Sequence, residues 1–412
     1  MNKSPRLVAL ETLYSIFYDG SYSNIALDKA LSEIKENKAF ISALVYGVTE
    51  RKITLDYFID KYAQGRIKPK VRIVLWLGAY QLLFMDKVPS SASINESVKL
   101  VKEIKQDYYS KLVNAVLHKI DNDRQIPDDL SVKYSVPENL INMWKKQYGE
   151  DVLNEFLPCI NDKPPLFAIP NKKFVNSDEL LYELECDGIL GEAYDEFVLI
   201  ENANDLTDSK AFKNGLFYIE DLSSFNCANA LDALGDDLVL DMCSAPGGKA
   251  FTISQSMNNS GKIYCYDLHE HRLNLIKNGA KRLSIDNIFT DVNDATVYNK
   301  NIPKADKILC DVPCSGFGII RRKPEIRYKD LDSVKDLPQI QYKILETSSR
   351  YLKNGGRIIY STCTLNKKEN ENVVNKFLKD HSGYKLLKDK TVFPSTVGGD
   401  GFYYAIMVKN EN

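Results

Sequence analysis

The chain of 412 residues lacks the features that mark membrane and secreted proteins. It has no run of about 18 apolar residues, so the sequence predicts no membrane-spanning helix. Polar and charged residues interrupt the N-terminal stretch MNKSPRLVALETLYSIFYDG, which therefore lacks the continuous apolar core of a signal peptide. Its 8 cysteines form no CxxC pair, which indicates reduced thiols, and its 4 histidines are scattered. We expect a cytoplasmic protein without a membrane or metal partner.

Charge is nearly balanced over the whole chain, with a formal net charge of −2, but it is unevenly distributed. Residues 1–125 hold 19 Lys and Arg against 14 Asp and Glu, residues 126–230 hold 8 against 20, and residues 231–412 hold 27 against 22. Two basic blocks flank an acidic one, and this division predicts three domains. The basic blocks can contact phosphates, although solvated helix faces often carry a similar excess.

The first two blocks differ in their apolar patterns. Residues 1–125 show helical spacing almost throughout, and VRIVLWLGAYQLLFMD is apolar nearly all round, which is typical of a central buried helix. We predict an all-α bundle. Residues 126–230 mix helical stretches with the strand-like EFVLIE and LFYIED, which predicts a small α+β connecting domain.

Strands and helices alternate over residues 231–412. The strand-like stretches are LVLDM, KIYCYD, NIFTDV, KADKILCDV and GRIIYST. Such alternation predicts an α/β domain with a parallel sheet covered on both faces, and ligands then bind at the carboxyl ends of the strands. Cys314 and Cys363 both fall at such ends.

The stretch LVLDMCSAPGGKA predicts a strand that turns through residues 246–248 into a helix. The glycines allow a ligand to approach the backbone, and the helix N-terminus offers unpaired N–H groups. A GxxxxGK[ST] phosphate loop would need glycine at Cys243 and serine or threonine at Ala250, and GxGxxG is absent. A nucleoside cofactor that carries a carboxylate fits better, with Asp267 on its ribose. An ordinary strand-to-helix turn with a capping aspartate is the alternative.

Three stretches resemble the signature motifs of the Nol/Nop/Sun family of S-adenosylmethionine-dependent RNA cytosine-C5 methyltransferases. They are DMCSAPGGKA, DVPCSGFGIIRRKPEI and YSTCTLNKKENENVV, and DGFYYAIMVK is similar to the closing strand of that family. SALVYGVTERKITLD and SASINESVKLVK resemble a NusB-like RNA-binding domain. The combination is similar to the bacterial Sun-type members, which methylate 16S rRNA. IEDLSSFN departs from the family, which usually has QD in place of Glu220-Asp221.

The resemblance implies a multi-domain fold. Residues 1–125 would form an all-α NusB-like bundle, residues 126–230 a small RRM-like α+β domain, and residues 231–412 a Rossmann-like class I methyltransferase domain. The implied partner is 16S rRNA before subunit assembly is complete, and the chain is expected to act as a monomer in rRNA processing.

The resemblance also implies S-adenosylmethionine as the cofactor. Its predicted site consists of Cys243, Ser244, Ala245, Pro246, Gly247, Gly248, Lys249, Asp267, Asp294 and Asp311. Asp294 is preferred to Asp291 as the acid after the third strand, although the arginine that the family places two residues later is Thr296 here. Asp311 can serve either the cofactor or the target base.

The two strand-end cysteines fit the chemistry of cytosine methylation. Carbon 5 of cytosine is a poor nucleophile, but a thiolate that adds to carbon 6 turns it into an enamine carbon, which can attack a methyl sulfonium. In the family the cysteine of the STCT motif is the nucleophile, which implies this role for Cys363, and Cys314 would then assist product release. Outside these motifs either cysteine would equally suit a protein core. The remaining cysteines are predicted to be core or incidental residues: Cys159, Cys186, Cys227, Cys265 and Cys310.

Basic stretches offer candidate phosphate contacts. Arg321, Arg322 and Lys323 follow the Cys314 loop and could hold phosphates around an extruded nucleotide, or form an ordinary solvated turn. GRIKPKVR in the N-terminal block is a second candidate. Glu369 and Glu371 are predicted to begin and support a helix rather than to act as bases.

Other functions remain open at this point. The chain could methylate another RNA, such as tRNA or 23S rRNA, or it could be an RNA-binding assembly factor without catalysis. A DNA cytosine methyltransferase would place its nucleophile in a Pro-Cys motif, which VPCSG offers. The NusB-like stretches and the STCT cysteine favour RNA.

Overall fold

A computed structural model of the chain describes residues 3–202, 206–394 and 398–411. The chain divides into two compact units. Unit 1 comprises Met1–Asp162 and Ile320–Lys329, and unit 2 comprises Lys163–Ile319 and Asp330–Asn412. Within the described ranges, no helix is both long enough and apolar enough to cross a membrane.

Unit 1 is helical. Its helices are α1 (Pro5–Tyr18), α2 (Ser23–Ser32), α3 (Lys38–Tyr62), α4 (Pro69–Phe84), α5 (Ser90–Glu103), α6 (Ser110–Asn122), α7 (Leu130–Tyr134), α8 (Glu138–Tyr148) and α9 (Glu150–Phe156). Helix α4 contacts α1, α3, α5 and α6. Every residue from Ile73 to Ala79 is buried, which confirms the prediction of a central buried helix.

The predicted domain boundary at residue 125 stays a prediction, and residues 126–162 lie in the same compact unit as the helices of residues 1–125. Hydrogen bonds to α3 are the physical reason, because Ile53 N donates to Ser135 Oγ at 2.9 Å and the Thr54 hydroxyl donates to the Val132 carbonyl. The balance of charged residues changes from basic to acidic near residue 125. Charged residues report on the exposed faces of helices α7 to α9 and not on the contacts that bury their other faces.

A short segment from within the methyltransferase-like part of the sequence also belongs to unit 1. Arg327 in this segment has no exposed surface, and its Nη1 donates to the Glu50 carbonyl at 2.9 Å and to Asn161 Oδ1 at 2.8 Å. The Tyr328 hydroxyl donates to the carbonyl of Thr49 at 2.7 Å. Burial lowers the pKa of Arg327. The residues 320–329 are therefore fixed to the helices by a buried guanidinium.

The start of the same segment argues against one predicted phosphate contact. Arg321 is 7% exposed, so little of its side chain is accessible to a phosphate. Arg322 and Lys323 are half-buried, and Lys323 Nζ lies 5.5 Å from the centre of the Tyr22 ring. The predicted clamp of three basic residues loses its first member because that residue is used inside the fold.

Arg327→Ala should destabilise unit 1. The substitution removes the donor from buried acceptors that include Asn161 Oδ1, at about 1–3 kcal/mol for each group left unsatisfied, and it also removes the packing of a fully buried side chain. Both tryptophans, Trp76 and Trp144, lie in unit 1, so tryptophan fluorescence during urea unfolding reports on this unit. The free energy of unfolding should fall by about 3 kcal/mol or more. Arg66→Ala, at an exposed site of the same unit, is the control and should stay within about 0.5 kcal/mol of the wild type. An equal effect of Arg327→Ala and Arg66→Ala would contradict the conclusion that buried Arg327 stabilises unit 1.

Unit 2 contains a small antiparallel sheet. Its strands are β1 (Phe167–Pro170), β2 (Gly191–Tyr194), β3 (Phe197–Ile200) and β4 (Phe217–Ile219), in the order β2-β3-β1-β4. Helices α10 (Ser177–Cys186) and α11 (Lys210–Lys213) belong to the same part of the chain. The predicted strands EFVLIE and LFYIED correspond to β3 and β4, and Leu180 and Leu184 of α10 pack into a core with Val198 of β3.

A larger sheet forms the rest of unit 2. Over the described residues it has seven strands: β5 (Leu238–Asp241), β6 (Lys262–Asp267), β7 (Ile288–Val292), β8 (Ala305–Asp311), β9 (Leu352–Thr362), β10 (Tyr384–Val392) and β11 (Phe402–Lys409). Helices α12 (Leu222–Asn229), α13 (Gly248–Ser256), α14 (Glu270–Arg282), α15 (Leu337–Ser349) and α16 (Glu371–Asp380) accompany it.

The order of this sheet is β10-β11-β9-β8-β5-β6-β7. The strands from β5 to β9 pair in parallel, and β11 is antiparallel to both of its neighbours. After β5 the chain adds β6 and β7 on one side and then returns to β8 on the other. Such a reversal of direction leaves a crevice at the carboxyl ends of the central strands.

Candidate active site

The carboxyl ends of four neighbouring parallel strands meet at one edge of the large sheet. In sheet order from β9 through β8 and β5 to β6, these ends are Thr362, Asp311, Asp241 and Asp267. Cys363 follows β9 directly, and Cys314 lies in the loop after β8. The fold therefore collects carboxylates and thiols at the edge where the sequence predicts a ligand.

The predicted cofactor loop, Cys243 to Lys249, joins β5 to α13. Ser244 N donates to a carbonyl at the end of β6 at 2.8 Å, which ties the loop to that strand. Gly247 has a φ of 110°, in the left-handed region that glycine adopts without strain. A Cβ on Gly248 would lie 3.1 Å from Glu220 Oε1. Both glycines therefore suit their positions for reasons of backbone shape and space.

A cavity of about 170 Å³ lies beside this loop. It is lined by Ile219, Glu220, Ser224, Asp241, Cys243, Ser244, Ala245, Pro246, Gly248, Lys249 and Asp311. Most of the predicted cofactor residues are in this lining, whereas Gly247, Asp267 and Asp294 lie outside it.

Asp241 and Glu220 line the cavity but were not among the predicted site residues. Asp241 is 1% exposed, and neither of its carboxyl oxygens has a hydrogen-bond partner among the described residues. Glu220 is 7% exposed and accepts a hydrogen bond from the Thr252 hydroxyl. Burial raises the pKa of each carboxyl to about 7. The cavity wall therefore carries acidic groups that change charge near neutral pH, one of them with free acceptor capacity.

Lys249 and Asp311 form an ion pair at the cavity wall. Lys249 Nζ lies 2.7 Å from Asp311 Oδ2, and the Ser361 hydroxyl donates to Asp311 Oδ1 at 2.8 Å. Burial opposes the charge of Lys249, but the carboxylates of Asp311 and Glu220 outweigh it, and the pKa of Lys249 is raised. The Asp311 carboxylate is thus held in place from both oxygens.

Asp267 is held at the end of β6. It is 3% exposed, its Oδ2 lies 2.9 Å from Arg272 Nη1, and its Oδ1 accepts from His269 N at 3.1 Å. Arg272 also donates to the Ala245 carbonyl at 2.7 Å, so the same guanidinium contacts the cofactor loop. Arg272 was not predicted, because its link to the loop exists only in the folded chain.

The two candidate acids in and after β7, the third strand of the sheet in chain order, are both exposed. Asp294 Oδ1 accepts from Thr296 N at 2.9 Å and from the Thr296 hydroxyl at 2.6 Å, which makes it a turn residue. Asp291 lies within β7, and its Oδ1 accepts from Val292 N at 2.8 Å. The preference for Asp294 as a cofactor residue stays a prediction.

The two thiols lie next to each other. Cys314 Sγ and Cys363 Sγ are 3.3 Å apart, and Gly318 N donates to the Cys363 carbonyl at 3.1 Å, which links the two loops. The hydrogen bond with Cys363, together with burial, raises the pKa of Cys314 well above its ordinary value. The Cys314 thiol is therefore protonated at neutral pH.

The other cysteines differ in their surroundings. Cys227, Cys265 and Cys310 are buried, Cys159 is half-buried and Cys186 is exposed. Burial raises the pKa of Cys227 and of Cys310 to about 12, which makes both thiols unreactive at neutral pH. These environments are those of core or incidental residues.

The chain is similar to known methyltransferases over nearly its whole length. The family model for 16S rRNA methyltransferase RsmB/F matches residues 228–408, and the NusB family model matches residues 3–122. The probable ribosomal RNA small subunit methyltransferase B of Bacillus subtilis (strain 168) is 32% identical, with 98% of this chain and 99% of the relative covered. The chain belongs to the RsmB/F family.

A further relative and a solved structure are also similar to this chain over most of its length. A probable ribosomal RNA small subunit methyltransferase B from a Synechocystis species is 30% identical, with 93% of this chain and 90% of the relative covered. The protein in the crystal structure of PH0851 is 26% identical in sequence to this chain. The two structures superpose with a TM-score of 0.83, and the superposition covers 99% of this chain and 100% of that chain. The predicted family resemblance and the predicted fold class, with a NusB-like helical part and a Rossmann-like methyltransferase part, are confirmed.

Within this RsmB/F fold, the sequence carried one signal that could have identified Asp241. It ends a buried strand, as Asp267 and Asp311 do, and the same argument applies to all three. Glu220 stands where the Nol/Nop/Sun pattern usually has glutamine, and the structure puts its carboxyl in the cavity wall.

Proposed function

We propose that this RsmB/F family member transfers the methyl group of S-adenosylmethionine to carbon 5 of a cytidine in 16S rRNA, through a covalent bond between Cys363 and carbon 6. The observation that carries the proposal is the 3.3 Å separation of Cys314 Sγ and Cys363 Sγ beside the carboxyl ends of paired strands. Two relatives named for methylation of small-subunit rRNA support the substrate. The reaction is placed in the cytoplasm, on rRNA before subunit assembly is complete, with the chain as a monomer.

The residues around the cavity suit S-adenosylmethionine. Its methionine part carries a cationic amino group, and the buried, unpartnered carboxyl of Asp241 is a matching acceptor. Lys249 and the N–H groups at the start of α13 would receive its carboxylate, Asp267 would accept from its ribose hydroxyls, and Asp294 would lie near its adenine. Bound there, the cofactor supplies an electrophilic methyl group.

The thiols would act on the base. Cys363, as a thiolate, adds to carbon 6 of cytosine, and carbon 5 gains the electron density that it needs to accept the methyl group. After solvent has taken the proton from carbon 5, the bond to carbon 6 breaks, Cys363 leaves as a thiolate and the ring regains its aromatic electrons. Cys314, which lies against Cys363 Sγ, assists this release. Asp311 is fixed by Lys249 and Ser361, so it could stabilise charge on the base or hold the cofactor without moving.

A methyl-transfer assay tests the proposal. The purified chain is incubated with labelled S-adenosylmethionine and, separately, with 16S rRNA, 23S rRNA, tRNA or duplex DNA, and the product is digested to nucleosides. We expect labelled 5-methylcytidine from 16S rRNA alone. Label at another atom or in another nucleic acid would mean that the chain catalyses a different methyl transfer. RNA binding without incorporation of label would indicate a non-catalytic assembly factor.

Asp267→Ala should weaken cofactor binding and leave RNA binding unchanged. The change removes a charge-assisted hydrogen bond to the ribose, worth about 1.5–3 kcal/mol, so the Kd for S-adenosylmethionine in calorimetry should rise about tenfold or more. Asp286→Ala, at an exposed acid before β7, is the control and should not change the Kd. Wild-type affinity in Asp267→Ala would mean that Asp267 serves only its ion pair with Arg272.

A further inference from the structure

Glu369 lies in the loop between β9 and α16, and its side chain is fully buried. Both carboxylate oxygens accept hydrogen bonds. Oε1 accepts from the Ser315 hydroxyl at 2.6 Å and from Asn366 Nδ2 at 2.8 Å. Oε2 accepts from Ser315 N at 2.9 Å and from Gln341 Nε2 at 2.9 Å. The carboxylate therefore has its acceptor sites filled by protein donors.

Two of the three donor residues come from the two loops that carry the thiols. Ser315 follows Cys314 in the chain, and Asn366 lies three residues after Cys363. The third donor, Gln341 on α15, also donates to the carbonyl of Pro313 at 3.0 Å, immediately before Cys314. One buried carboxylate thus joins the Cys314 loop, the Cys363 loop and α15.

A chain of hydroxyl groups points to the same carboxylate. Phe317 N donates to Thr364 Oγ1 at 3.1 Å, Thr364 Oγ1 lies 2.7 Å from Ser315 Oγ, and Ser315 Oγ donates to Glu369. The direction is set at both ends, because the Phe317 N–H can only donate and the single hydroxyl hydrogen of Ser315 is donated to Glu369 Oε1. Each hydroxyl therefore has one orientation, and the two loops are linked in a single arrangement.

The contacts of the Glu369 carboxylate differ from those of a helix cap or of a catalytic base. The sequence predicts that Glu369 begins and supports a helix, but in the part of the chain that the structure describes its donors are Ser315, Gln341 and Asn366 rather than the first turn of α16. A carboxylate with both oxygens occupied by donors also has no free lone pair aimed at a substrate proton.

We propose that Glu369 is a positioning residue, which holds Cys314 and Cys363 at the separation that the covalent step requires. The inference rests on the proposed function, because it concerns the same two thiols. Glutamine at this position would turn an NH₂ group toward at least one donor, so one of the two loops would lose its link. The Sγ atoms would then sample a wider range of separations.

The first test is kinetic. Glu369→Gln should lower kcat for RNA methylation by about 100-fold, the order of loss that displacement of a reacting group by about 1 Å causes, while the KM for S-adenosylmethionine stays at the wild-type value. Glu371→Gln is the matched control, since Glu371 is the first residue of α16 and its Oε1 contacts the Thr391 hydroxyl at 3.3 Å. We expect wild-type kinetics for this control.

The second test measures the thiol pair without substrate. Dibromobimane becomes fluorescent when it alkylates two neighbouring thiols, and the rate should be several-fold lower in Glu369→Gln than in the wild type and in Glu371→Gln. Cys314→Ser gives the background from the other cysteines. This readout does not need methylation, so a chain that bridges its thiols but methylates no RNA would refute the proposed function and not the role of Glu369.

Ser315→Ala covers the case in which Glu369→Gln does not fold. It removes the hydroxyl links but keeps the bond from Ser315 N, so a smaller loss of kcat and of the bridging rate is expected. If the folded Glu369→Gln or Ser315→Ala protein keeps both the wild-type kcat and the wild-type bridging rate, the proposal is overturned. A change confined to the cofactor KM would overturn it as well.

Discussion

Cys314→Ala is expected to accumulate a covalent protein–RNA adduct that survives denaturing electrophoresis. Cys363 can still add to carbon 6 and the methyl group can still be transferred, but the bond to Cys363 breaks slowly when its neighbour at 3.3 Å is missing. Cys363→Ala and Cys363→Ser should abolish both methylation and the adduct, because the thiol that attacks the base is gone. The double variant should form no adduct.

The exposed Cys186 provides the control for this experiment, since Cys186→Ala should behave as the wild type. The opposite pattern, with the adduct lost in Cys314→Ala and retained in Cys363→Ala, would exchange the roles and bring the chemistry closer to a Pro-Cys nucleophile. Full methylation by both single variants would mean that the thiols are structural, and the proposed mechanism would then fail.

Asp241→Asn is expected to remove most of the affinity for S-adenosylmethionine. The buried carboxyl has no protein partner among the described residues, and an amide in its place cannot balance a cationic amino group. A loss of about 3–5 kcal/mol is expected when one member of a buried charge pair is removed. Isothermal calorimetry at pH 8 measures it, and Asp286→Ala again serves as the control. Unchanged affinity would mean that the amino group of the cofactor does not bind to Asp241.

The same carboxyl predicts a pH dependence of binding. Burial raises the pKa of Asp241 to about 7, so the ionised form that pairs with a cation is lost as the pH falls through that value. Cofactor affinity of the wild type should decrease about tenfold from pH 8 to pH 6, because roughly one carboxyl in ten is ionised one unit below its pKa. Glu220, with a pKa also about 7, titrates in the same cavity beside Lys249 and Asp311. Asp241→Asn should flatten the profile more than Glu220→Gln does.

The folding stability of the protein without cofactor should fall as the pH rises, whereas its affinity for the cofactor should increase. Folding raises the pKa of Asp241 from its usual 3.8 to about 7, so ionisation destabilises the folded state progressively as the pH rises through this interval. Without cofactor, Asp241→Asn should therefore be more stable than the wild type at pH 8, with a smaller advantage at pH 5. Hydrogen exchange of the β5 amides measures this, and a variant less stable than the wild type at pH 8 would contradict the pKa assignment.

Features that depend on short stretches of chain could be predicted from the sequence. Alternating strands and helices predicted the parallel sheet, and glycines and apolar runs located the loop between β5 and α13. Cys314 and Cys363 could be assigned to strand ends because the strand stretches before them are short, apolar and bounded by loop residues. These signals depend on backbone preference and on local periodicity, which operate within about a dozen residues.

Only the tertiary structure decided which polar groups have partners. Asp267 and Asp241 both end buried strands, but Arg272 pairs with the first and no described residue pairs with the second. Glu369 appeared as a helix-start residue in the sequence, and its donors lie on a different loop and a different helix. Arg321 was a predicted phosphate contact but is 7% exposed, and the nearby Arg327 is buried against helices far away in the sequence. Burial and pairing depend on contacts between segments that are distant in the chain, and these contacts set the charge, the pKa and the orientation of each side chain in the site.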